Sequence, residues 1–239
     1  MEVILVNKLI KLEFKKHKLL GYAKGVFITN IVIMAFMCFI YIVEKIEGAG
    51  EESLFGSYDV VFNFILTLTT ATFLIFGSVV LARLVIEEYK NKTITLLFTY
   101  PLSRKKLLSA KLIVVSSFIF SAILFSNIFI GGVVYLVDVF ANIIPSDLSA
   151  ELLTNSFSLL IVNIVTAAGI GLIPLYFGMR KKSVPATIVS AIILVSILNS
   201  FTSNVLSWSY VTVMFAMAVI GVCIAYLSFK NIEHEDFIL

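Results

Sequence analysis

The 239-residue chain is 60% hydrophobic and only 14% charged, with a mean hydropathy of +1.05. Soluble domains carry about 25% charged residues, so this chain lacks the polar surface to face water all round, and a soluble globular protein is excluded in favour of one whose solvent is lipid. The formal net charge of +3 alone says little, and the two cysteines, Cys38 and Cys223, each inside an apolar run, fit neither a disulfide framework nor a metal site.

Residues 1–24 alternate apolar and basic positions. Val6, Leu9, Ile10 and Leu12 recur near helical spacing, with Lys8, Lys11, Lys15, Lys16 and Lys18 between them. That pattern predicts an amphipathic helix lying in the membrane interface, apolar side in the acyl boundary and lysines toward anionic headgroups. The apolar run that follows lies too far from the N-terminus and is too long for a signal peptide, so it reads as a retained first span, over 25–43. Further spans are predicted over 60–86, 112–137, 152–177, 184–198 and 210–229, each near the length of about 20 residues that crosses a bilayer. The break between the last two rests on the turn-forming cluster Asn199-Ser200-Phe201-Thr202-Ser203-Asn204. Gly169, Gly171 and Pro174 predict close packing and a kink in the fourth span, and Pro185 suits the first turn of the fifth. The expected architecture is an all-α membrane protein of six spans, one transmembrane domain over 1–239.

Orientation follows from lysine and arginine. Six lie in the N-terminal arm, seven between Arg83 and Lys111, three at Arg180–Lys182 and one at Lys230, leaving only Lys45 for the opposite side. Such asymmetry places the basic segments in the cytoplasm and predicts both termini there, with an even number of spans. The outer segments are acidic (Glu44, Glu47, Glu51, Glu52, Asp59, Asp138, Asp147, Glu151) and read as solvated charge. Trp208, Tyr210, Tyr41, Tyr58 and Tyr135 fall near outer span ends, as in an aromatic belt.

Several chemistries find no residues to carry them. No G-x-x-x-x-G-K-[ST] phosphate loop occurs, so the chain is not expected to hydrolyse ATP itself or to be an enzyme. Both histidines, His17 and His234, lie outside the apolar runs, which disfavours an intramembrane protease. No charge sits at mid-span, which disfavours an ion-coupled carrier. What remains inside is mild polarity, and Asn63, Thr67, Thr70, Asn127 and Asn163 are the candidates for a substrate path, with interhelical hydrogen bonding as the competing role.

The segment between the second and third spans is the most informative. The second span is long, and its pattern continues helically through Glu87-Glu88-Tyr89-Lys90. A short apolar helix, Thr93-Ile94-Thr95-Leu96-Leu97-Phe98-Thr99-Tyr100, then ends at Pro101. Ser103 is placed to cap the next helix, which passes through Arg104-Lys105-Lys106 into the third span. Leu96, Leu97 and Phe98 on a basic rim mark either a protein contact or a face resting on lipid.

The run E-E-Y-K-N-K-T-I-T-L-L-F-T-Y-P-L-S-R-K-K-L-L-S-A-K resembles the first cytoplasmic loop of type-2 ABC exporter permeases, through Glu88, Thr93, Leu96, Leu97, Pro101, Ser103, Arg104 and Lys111. Lys92 stands where that pattern has glycine. The resemblance implies a permease subunit of an ATP-driven exporter in a bacterial cell membrane. Its coupling helix, with Glu88, Thr93, Ile94, Leu96, Leu97, Phe98, Pro101, Ser103 and Arg104, would seat in a separate cytoplasmic ABC ATPase that holds the ATP and Mg. It further implies a second permease subunit, an identical copy or a sister chain, and export of antimicrobial or amphipathic peptides or self-protection against them, with lipid, polysaccharide or sodium as alternative substrates. Membrane lipid is an expected partner and nucleic acid is not. A stand-alone secondary carrier and a non-transporting scaffold or sensor are the alternatives.

Overall fold

The computed structural model describes residues 20–47, 54–87, 104–146, 148–200 and 208–231, and among them every regular element is helical. In chain order these are α1 (Leu20–Glu47), α2 (Tyr58–Leu81, continued by a wide π turn over Ala82–Ile86), α3 (Arg104–Ala141), α4 (Ala150–Ile170), α5 (Pro174–Lys181), α6 (Val184–Ser200) and α7 (Trp208–Asn231). Four stretches, Gly21–Ile46, Tyr58–Ile86, Leu107–Ala141 and Ala150–Lys181, are long and apolar enough to cross a membrane, and Val184–Ser200 and Val211–Leu227 are shorter apolar helices. Predicted residues 1–19 of the interfacial helix and 88–103 of the cytoplasmic segment lie outside the described residues.

Serine caps explain why two helices begin earlier than the apolar runs suggest. Ser57 accepts a hydrogen bond from the Val60 amide and opens α2 at Tyr58 rather than residue 60. Ser149 accepts from the Leu152 amide and opens α4 at Ala150 rather than residue 152. Each satisfies an orphan amide of a first helical turn. The predicted fourth span is not one helix. Its ladder breaks at residues 171–173, where Leu172 and Ile173 bond back only three residues, and Pro174, which has no amide hydrogen, starts α5. The longest helix is α3, 38 residues and about 57 Å at 1.5 Å per residue.

Helices α2, α3, α4 and α7 form the centre, with α6 against α2 and α1 at the edge of α3. Ile119 of α3 is fully buried in a notch between α2 and α4. A side chain on either Gly77 or Gly171 would collide with it. Gly221 lets α7 lie directly on the backbone of α4 at Gly169. Exposed apolar side chains such as Phe140, Phe39, Val222 and Val219 line the outside of the bundle, as expected where the surroundings are hydrocarbon rather than water.

Candidate functional site

Two regions of the α2–α3 pair stand out. Toward the N-terminal end of α2 these helices border, with α4, a cavity of about 480 Å³. Its walls are mainly apolar (Phe62, Leu66, Ile128, Leu153, Phe157, Leu160), with Asn63, Asn127, Tyr135 and Ser156 as the polar lining. Mostly apolar walls with a few placed polar groups are the usual make-up of a small-ligand site. Gly132 contributes room on the α3 side, where a Cβ would meet nothing within 4 Å.

Polar ties bracket this cavity. Below it, the Asn127 side-chain amide donates to Thr69 Oγ1 at 2.8 Å and to the Ile123 carbonyl at 2.9 Å. Above it, the Tyr58 hydroxyl donates to Asp138 Oδ2, while Asp138 Oδ1 accepts from the amides of Ile143 and Ile144 at 2.7 Å each. Ser146 Oγ accepts from the Tyr58 amide at 3.1 Å. Asp138 is therefore a structural acceptor that ends α3 and fixes the following turn, not the solvated outer charge its sequence position suggests. Glu44 is likewise engaged, accepting from the Leu54 amide at 2.7 Å.

The predicted path residues divide among different surroundings. Asn63 and Asn127 line the cavity together, although Asn63 also donates to Asp59 at 3.3 Å. Thr67 bonds the Asn63 carbonyl. With Thr70 it borders a gap of about 10 Å³ toward α6 and α7, room for no more than one water. Thr70 and the buried Asn163 are joined across α2 and α4 at 2.7 Å. For that pair the structure displays the helix-joining role. Thr69 carries the Asn127 tie, and only its place in the polar Thr69-Thr70 step of an apolar run signals it.

The second region is the foot of α2. Within the π turn Ala82, Leu84, Val85 and Ile86 are each at most 1% exposed, while Arg83 faces outward. The Glu87 amide reaches back five residues to the Ala82 carbonyl. Lys111 of α3, only 3% exposed, donates from Nζ to the Leu84 carbonyl at 2.8 Å. Gly178 of α5 fits against Ile86 and Thr187 so closely that a Cβ would strike both. Of the predicted coupling residues, Glu88, Thr93, Ile94, Leu96, Leu97, Phe98, Pro101 and Ser103 lie outside the described residues. Arg104 opens α3.

These features define a multi-pass helical membrane protein with a ligand-sized groove and a tightly packed foot. The profile of the family described as "ABC-2 family transporter protein" matches residues 9–199. A protein of Bacillus subtilis (strain 168) carrying the name "Uncharacterized protein YcbO" is 39% identical over 228 residues, covering 95% of this chain and 99% of that protein. No solved structure matches the chain. The chain belongs to the ABC-2 transporter family and is a membrane-embedded permease component of a transporter.

Proposed function

We propose that this chain is the transmembrane subunit of an ATP-driven exporter in a bacterial cell membrane, with six spans and both termini in the cytoplasm. Residues 93–101 form its coupling helix and seat in a cytoplasmic ABC ATPase, which binds ATP and Mg. Two permease subunits, identical or sister chains, complete the transporter. The observation that carries this reading is that the buried foot of α2 leads directly into the family-like segment from Glu88 to Arg104. A lever needs a stiff arm ending at a seated contact, and Leu96, Leu97 and Phe98 supply apolar side chains for the contact. The substrate class is amphipathic peptides. The apolar cavity with Asn63 and Asn127 in its wall supports a ligand that combines hydrocarbon with a few hydrogen-bonding groups.

The test is purification of the tagged chain from its native membrane in mild detergent. A stoichiometric ATPase is expected to accompany it, and Leu97→Asp or Phe98→Asp is expected to release that ATPase without reducing membrane insertion. Full retention of the ATPase and undiminished transport in both variants would falsify the coupling assignment. A chain that purifies alone and moves solute without ATP is the stand-alone carrier. One that moves nothing in either condition is the scaffold or sensor.

A further inference from the structure

We infer that Lys111 is a positioning residue that holds the π turn at the foot of α2 against α3, so that the span and the segment beyond it move as one lever. The inference rests on the coupling role proposed above for residues 88–104.

A π turn, with its bonds closing over five residues instead of four, is rare and occurs mostly as a single-turn bulge inside an α-helix, frequently at functional sites. At the base of a lever it would absorb part of any swing unless something else fixed it. Here three side-chain contacts do so. Ile86 is held against Gly178, the remaining inward residues are fully packed, and Lys111 reaches the Leu84 carbonyl from a helix 27 residues further along the chain. A lysine near the end of a membrane helix ordinarily extends its amino group toward the headgroups. Lys111 instead turns inward, and a buried amino group is tolerated only where it is hydrogen-bonded. The acceptor in this contact is main chain, so the contact reads the backbone of the turn and not the identity of residue 84. If the turn tightened to ordinary α geometry, its carbonyls would rotate about the helix axis and the bond would be lost. Lys111 thus favours the wide form of the turn.

The test is hydrogen exchange of the full chain reconstituted in lipid bilayers. In the unsubstituted protein the amides of residues 82–87 are expected to be protected. Lys111→Met keeps the length and removes the donor, and should speed exchange there by about tenfold, the effect of losing one hydrogen bond to a buried group. Exchange along α4 should stay unchanged, and Lys111→Arg should restore most of the protection. Unchanged exchange at 82–87 in Lys111→Met, or acceleration spread evenly over all helices, overturns the inference. Should Lys111→Met fail to insert, a dipolar correlation between the Lys111 Nζ nitrogen and the Leu84 carbonyl carbon in the unsubstituted protein decides the matter by its presence or absence. Co-purification of the ATPase reports separately on the coupling reading, so either idea can fail without the other.

Discussion

The two ends of the α2–α3 pair are built in opposite ways. At one end Ala82, Leu84, Val85 and Ile86 are packed to near-zero exposure and Lys111 spans the helices. Toward the other end the same helices border a cavity of about 480 Å³ and are tied again beyond it by Tyr58 and Asp138. Close packing transmits displacement, because interiors at crystal-like density have little slack. An open space yields to whatever enters it. The pair is therefore densely packed around Ala82–Ile86 and open where the proposed ligand would rest.

Substitutions can break this contrast in graded steps. The largest effect is expected from Gly178→Val, whose new side chain must displace Thr187 and Ile86. Overpacking of this kind costs about 1–3 kcal/mol, measured as a fall in melting temperature of the detergent-solubilised protein. Tyr58→Phe removes the hydroxyl that Asp138 accepts from. A hydrogen bond to a carboxylate contributes about 1.5 kcal/mol, and hydrogen exchange should rise in residues 142–146 and 54–60 but not at 82–87. Thr70→Val deletes the tie to Asn163, for which about 0.6 kcal/mol is expected, the average for interhelical bonds in membrane proteins. Gly132→Leu should change stability least, within about 0.5 kcal/mol, because it projects into open space beside the cavity. It should nevertheless reduce transport of amphipathic peptides in a vesicle assay. Undiminished transport would remove the cavity from the substrate path.

Much of the helical layout was legible because apolar runs report directly on lipid-compatible helices. The Gly169, Gly171 and Pro174 grouping likewise announced the interruption between α4 and α5. Starts were misjudged by two residues at α2 and α4, since Ser57 and Ser149 act as caps through their side chains and do not alter the hydropathy of the run. The π turn was invisible, as Ala82–Ile86 has the composition of any apolar helix. Lys111 was legible as a cytoplasmic cation and as a residue of the family-like run, but not as a helix-joining donor, and Asp138 counted as one more outer anion. What fixes each is a partner 27 or 80 residues away in the chain, and local pattern carries no information about such pairings. Asn63, Thr67, Thr70, Asn127 and Asn163 were identifiable as polar residues in apolar runs. Only the fold shows that Asn63 and Asn127 share a cavity while Thr70 and Asn163 satisfy each other.

Ile119, lodged between Gly77 and Gly171, also limits which motions the bundle can make. Sliding α3 along its axis would drive that side chain out of both recesses at once and into neighbouring backbone. Rotation about the same point leaves it seated, as a ball stays in its socket. Sliding of α3 past α2 and α4 is thereby opposed more strongly than tilting about the level of Ile119.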